Sequence, residues 1–96
     1  MFKIPTKLRV LGHDYSIKKE KLEQEGWCMF GCADHSKKEI TLNVTNCHSQ
    51  DEETMIHEVI HVLSERTGAG MTERQVTALA NGLFAVLKDN EKLLKT

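Results

Sequence analysis

The spacing of apolar positions changes near residue 50 and divides the chain in two. Up to about residue 47, apolar residues come in short runs broken by turn formers, which predicts strands. Residues 7–10 and 15–17 are two such runs around Gly12-His13-Asp14, a hairpin pattern, and Pro5 precedes the first strand, where its missing N–H does no harm. Residues 18–25 are highly charged and read as a loop or a short exposed helix. Residues 27–33 form a third strand, with Gly26 and Gly31 as bends and with Trp27 and Phe30 as packing residues. Residues 34–38 are a turn. Residues 39–43 then alternate polar and apolar, as a half-buried strand should, and complete an antiparallel hairpin.

Beyond residue 50 the period becomes helical. Ser49-Gln50-Asp51-Glu52 has the capping-box form, and acidic residues 51–53 suit the positive end of a helix dipole. Met55, Ile56, Val59, Ile60, Val62 and Leu63 give a helix of about 50–67 that is apolar nearly all round and so largely buried. Gly68-Ala69-Gly70 ends it. Thr72-Glu73-Arg74-Gln75 repeats the capping box and opens a second helix of about 73–89, with Val76, Leu79, Ala80, Leu83, Phe84 and Leu87 at helical spacing. Gly82 inside it costs about 1 kcal/mol against alanine, which suggests close approach to the first helix. A short connection favours an antiparallel helix pair. The expected fold is α+β: one domain over residues 1–96, a small antiparallel sheet followed by two packed helices.

Composition narrows the function classes. The 96 residues suffice for one small domain with a thin core. A net charge of -1 gives no electrostatic case for nucleic acid or an acidic membrane surface. No stretch is long enough to span a bilayer, and residues 1–10, with Lys3, Lys7 and Arg9, do not read as a signal peptide. Three cysteines are an odd number without the spacing of a disulfide-rich domain, so the expected location is the cytoplasm, with reduced thiols. Cys28, Cys32 and Cys47, with His35 or His48, offer a rival metal set. Cys28 and Cys32, four apart on a strand, would stand about 13 Å apart, which favours simple thiols.

The sharpest chemistry is His57-Glu58-Val59-Ile60-His61, an H-E-x-x-H pattern in the middle of the first helix. Histidines four apart lie on one helix face and can grip one metal ion, and the glutamate beside the first can reach a water on that ion. Burying His57, Glu58 and His61 in an apolar helix is costly unless something satisfies them, and a metal does so. The bland reading is a polar stripe on a partly exposed face. A catalytic zinc takes three protein ligands and keeps one place open. The third ligand expected here is Glu73, which shares a face with Val76, Thr77 and Ala80, although a glutamate in a first turn also simply suits the dipole. His48, His13, His35 and Asp14 are the alternatives, and Glu65 lies too far along the axis to share the ion with His57.

Residues 54–90 resemble the small zincin-type metallopeptidases often encoded by phages and prophages, related to the ImmA/IrrE and minimal gluzincin groups. The resemblance is carried by His57-Glu58-Val59-Ile60-His61, the glycine-containing turn, Glu73 three residues before Val76, and the stretches 79–83 and 87–90. Upstream, Gly31-Cys32-Ala33-Asp34 and residues 38–42 look like that group's hairpin before the motif helix. The resemblance implies a zincin-like fold, bound Zn²⁺ with Glu73 as third ligand, and a peptide or protein substrate, in some members a phage or host regulator.

The chemistry then follows from charge placement. Zinc lowers the pKa of a bound water toward ~7, and Glu58 takes its proton and returns it to the leaving amine. The negative charge developing on the carbonyl oxygen needs a further donor. Tyr15, His13, His35, His48 and Arg74 are candidates, with His48 and Tyr15 ranked first. An extended peptide could pair with a strand edge beside the metal, and residues 39–43 are the expected edge. The expected function is zinc-dependent peptide hydrolysis. The alternative is a metal-binding regulatory or protein-interaction module with little or no catalysis.

Overall fold

The computed structural model describes residues 2–24 and 27–95. In chain order it contains β1 (Lys7–Val10), β2 (His13–Glu20), β3 (Glu23–Gln24), β4 (Trp27–Cys28), β5 (Gly31–Asp34), β6 (Glu39–Asn43), α1 (His48–Thr67) and α2 (Glu73–Asp89), then a 3-10 turn over Glu91–Lys95. Strands precede helices, as the change of period predicts. The bend expected at Gly26 and the side chains of Trp27 and Cys28 lie outside the described residues.

Val10 pairs with His13 across β1 and β2. Leu11 and Gly12 between them have φ of 48° and 82°. Two successive positive φ values make the turn whose twist matches that of the flanking strands. β2 then runs on through Lys18, Lys19 and Glu20, where a loop or short helix was expected. These residues stay extended because β6 pairs with them, from Ser16 opposite Glu39 to Glu20 opposite Asn43. Their charges are met sideways: Lys18 Nζ lies 3.2 Å from carboxylates of both Glu20 and Glu39. Lys19 Nζ lies 2.7 Å from Asp51 Oδ2.

The main sheet has the order β1-β2-β6-β5. β5 and β6 form the expected antiparallel hairpin. β6, however, runs parallel to β2, so the sheet is mixed rather than antiparallel. Burial gives the reason. Ile40, Thr41, Leu42 and Asn43 are all buried, and such a strand belongs inside a sheet. The less buried β5 is left at the edge, and the chain between β2 and β6 is long enough for a parallel crossover. Asn43 ties that crossover down: its Nδ2 donates to Leu22 O at 3.1 Å and to Met29 O at 2.6 Å. With β6 internal, the strand edge expected at residues 39–43 is not free. The free edge beside the helices belongs to β5.

α1 is the middle layer. One side packs Met55 and Val62 against Val10, Tyr15, Ile17, Ile40 and Leu42 of the sheet. The other packs Ile56 and Ile60 against Val76 and Ala80 of α2. A helix covered on two sides needs apolar residues nearly all round, which explains its pattern. Its start differs from the expected box. Cys47 is the N-cap, with no side-chain capping bond, and Ser49 lies inside the helix. Instead, buried Asp51 accepts from Asn46 Nδ2 at 3.2 Å and pairs with Lys19, fixing the first turn from within. The C-cap is Gly68 at φ 72°, and its N–H donates to Ser64 O.

α2 begins with the predicted capping box between Thr72 and Gln75. It buries only Val76 and Ala80, with Phe84 and Leu87 partly covered. Leu79 and Leu83 are exposed. Gly82 faces open space, so the close approach expected there is absent. The close approach is at Gly31 instead, where an added Cβ would stand 2.5 Å from Thr54 Cγ2 and 2.9 Å from Thr41 O. No helix among the described residues is long and apolar enough to cross a membrane.

Candidate metal centre

The seam between α1 and α2 brings together three of the residues picked out by the motif. His57 and His61 stand one turn apart on α1, their rings edge to face with centroids 4.8 Å apart. Their Nε2 atoms are separated by 3.2 Å. Two nitrogens on a tetrahedral ion at about 2.0–2.1 Å each would stand about 3.3–3.4 Å apart. From the first turn of α2, Glu73 closes the third side. Its Oε1 lies 2.9 Å from His57 Nε2 and its Oε2 lies 2.7 Å from His61 Nε2. Glu73 thus does point at α1, as its position beside Val76 and Ala80 implies. Thr77 Oγ1, 3.5 Å from Glu73 Oε1, borders it.

The proton count supports a cation at this point. An imidazole Nε2 carries one hydrogen at most. If both nitrogens carry one and donate to an ionised Glu73, no hydrogen is left to bridge the 3.2 Å contact between the rings. If one nitrogen is bare, its lone pair faces the carboxylate. Either way one of the three contacts sets like against like. A cation among them meets all three lone pairs at once. Together His57, Glu58 and His61 form a group that could hold a metal ion, with one ligand atom from each lying within 4.8 Å of the others.

Glu58 sits just behind this triangle. It is buried, and it makes no side-chain hydrogen bond among the described residues. Burial pushes its carboxyl up to about 7, with His61 pulling against the rise and Glu73 adding to it. A carboxyl in that condition takes up and releases a proton near neutral pH. The side chains of His57 and His61 are 22% and 28% exposed, and Glu73 is 68% exposed. The triangle therefore opens to solvent on the Glu73 side while Glu58 stays covered.

Two hollows meet at the triangle. One, of about 380 Å³, lies between α1, α2 and Phe30. The other, of about 440 Å³, lies toward β5 and is lined by Gly31, Cys32, Ala33 and His35 together with the metal-site residues. His35 is thus the one alternative ligand or donor from the strand half that reaches the cleft. It follows Asp34, whose Oδ1 accepts from Ser36 N, Ser36 Oγ and Lys37 N and so fixes the turn. The Ser36 hydroxyl, then the Lys37 N–H, hold the Asp34 carboxyl below its usual range. The Nδ1 of His35 is enclosed with no hydrogen-bond partner.

The other candidates lie elsewhere. Tyr15 is fully buried in the sheet core, and its hydroxyl accepts from Arg66 Nε at 3.2 Å. His48 opens α1, with Nε2 3.1 Å from Phe2 O. Neither lines either cleft hollow, whereas His35 does. His13 and Asp14 belong to the β1–β2 hairpin, where Asp14 pairs with Arg9 at 3.4 Å. Glu65 borders a separate hollow with Lys38 and Arg66, and Arg74 lines neither cleft hollow. Phe30, expected as a packing residue, is 59% exposed at the cleft mouth. Cys32 and Cys47 are free thiols, and among the described residues no cysteine joins a metal-binding group. Burial, with the Glu58 carboxylate, pushes the Cys32 thiol up. Gly31, read from the sequence as a bend, has a different role: its lack of a side chain lets β5 lie against Thr54 beside the site.

Compared with protein families, curated proteins and solved structures, the chain matches none of them.

Proposed function

We propose that this cleft is the active site of a small zincin-type metallopeptidase that holds Zn²⁺ on His57, His61 and Glu73. The observation that carries the reading is the convergence of two Nε2 atoms and one carboxylate within 3.2 Å, with buried Glu58 beside them. Two nitrogens and one carboxylate suit zinc, whereas magnesium and calcium prefer all-oxygen sites. When bound, zinc would polarise the scissile carbonyl and lower the pKa of water toward ~7.

The chain's own groups do the rest. Glu58 takes the proton of the attacking water and delivers it to the departing amine, which suits a covered carboxyl that is easily protonated. His35, across the cleft on the β5 side, donates to the carbonyl oxygen as its charge grows. The open edge of β5 offers backbone N–H and C=O groups to an extended peptide, which sets the scissile bond alongside His57 and His61.

The test is Glu58→Gln in zinc-loaded protein. The expected outcome is zinc retained at one equivalent and hydrolysis of a peptide mixture reduced by about 10²–10⁴-fold. Hydrolysis equal to that of the unaltered protein would remove Glu58 from the mechanism. Zinc bound with no hydrolysis by the unaltered protein would favour the metal-binding module.

A further inference from the structure

The hollow of about 380 Å³ on the α2 side has a chemistry of its own. α1 supplies Gln50, Glu53 and His57 to it, α2 supplies Thr77 and Asn81, and Phe30 stands at its mouth. Among the described residues no lysine or arginine lines it, while three carboxylates do, those of Glu53, Glu58 and Glu73. A divalent cation at the triangle offsets the charges of Glu58 and Glu73. Glu53 is then the one carboxylate left without a counter-charge. It is half-buried and makes no ion pair or hydrogen bond with the described residues.

The remaining polar groups are uncharged and can accept as well as donate. Gln50 gives one of its two amide N–H groups to Thr54 Oγ1 at 2.8 Å and keeps its carbonyl oxygen as an acceptor. Thr77 and Asn81 each add an oxygen. Phe30, 59% exposed, offers an apolar face at the entrance. An aromatic lip leading to a carboxylate complements a side chain with a hydrocarbon stem and a cationic, donor-rich head. The volume falls in the range of small ligand pockets.

We propose that this hollow receives a lysine or arginine side chain next to the bond cleaved, and that Glu53 is the specificity-determining residue. The inference rests on the peptidase reading above. Electrostatic complementarity of this kind discriminates by sign: it rewards a cation modestly and rejects an anion strongly.

The experiment uses the full chain loaded with zinc and three short peptide hydroxamates that differ in one side chain: lysine, norleucine or glutamate. Calorimetric titration should rank lysine about 10-fold above norleucine and on the order of 100-fold above glutamate. Glu53→Gln, nearly isosteric, should bring lysine and norleucine within about twofold, and Glu53→Lys should put glutamate first. Equal affinity for lysine and norleucine, or a lysine preference unchanged in Glu53→Gln, overturns the inference. The two readings separate cleanly. Lysine-preferring binding without cleavage of any peptide supports the hollow's role and removes the peptidase. Cleavage with no preference for basic residues removes the hollow's role and keeps the peptidase. Failure of the zinc-loaded protein to bind any hydroxamate overturns both.

Discussion

His61 Nε2 stands 2.7 Å from Glu73 Oε2, and this polar contact joins α1 to the first turn of α2 beside the apolar contact of Val76 with Ile56 and Ile60. α2 fully buries only Val76 and Ala80, so the helix depends on what its first turn meets. If that meeting point is a metal, Glu73→Ala should weaken zinc binding by more than about 100-fold, measured by competition with a chromophoric chelator. His57→Ala should do the same. Affinity unchanged in Glu73→Ala would place the third ligand elsewhere.

Metal should also stabilise the whole fold. Free zinc at 100 times its dissociation constant contributes about 2.7 kcal/mol. In a domain of this size that corresponds to a rise in Tm of roughly 10–20 °C. Thermal melts with added zinc, and again after chelation, read the effect directly. A Tm that ignores both additions would argue against a site bridging the helices.

Glu58 gives the metal-free protein a pH dependence of definite sign. Its folded-state pKa is raised from 4.5 to about 7. Between those values the folded chain holds a proton that the unfolded chain has released. Stability therefore falls as pH rises through this window, at about 1.4 kcal/mol per unit. Glu58→Gln should remove the fall, making the metal-free variant more stable than the parent at pH 8 by about 3 kcal/mol and no different near pH 4. Urea titrations at the two pH values check it.

His35→Ala should leave zinc binding intact and lower kcat by about 10–100-fold with little change in KM, because the lost hydrogen bond forms as the reaction proceeds. A phosphinic peptide that mimics the tetrahedral state should lose affinity by a similar factor. Loss confined to KM would make His35 a ground-state contact instead.

Gly31→Ala should destabilise the protein by about 1–3 kcal/mol, since the new methyl meets Thr54 Cγ2 at 2.5 Å. Adding Thr54→Ala should recover only part of this, because the backbone oxygen of Thr41 remains 2.9 Å from the same position. Denaturant midpoints of the single and double variants measure the coupling.

Much of this arrangement was legible in the sequence, and the failures have physical causes. The helices could be read because their apolar periods are long and their ends carry Gly68, Thr72 and Gln75. Glu73 could be chosen because the face it shares with Val76 and Ala80 must meet α1. The parallel pairing of β2 with β6 could not be read, because strand alternation reports burial and not which neighbour lies alongside. The start of α1 was misread for a related reason. Ser49 had the right local pattern, but Asp51 is held by Asn46 and by Lys19 from a distant strand. His35 was one donor among five until the Asp34 turn and the edge position of β5 brought it to the cleft.

His57, His61 and Glu73 lie within residues 57–73, on either side of the turn capped by Gly68. The sheet that forms the opposite wall needs a longer closure, from β2 to β6. Short loops close at lower entropic cost and sooner. In refolding, the helical pair and its metal grip can therefore form while the sheet is still unpaired. If the cleft is the zinc peptidase proposed, catalytic competence should appear later than metal uptake, when β5 docks against Thr54.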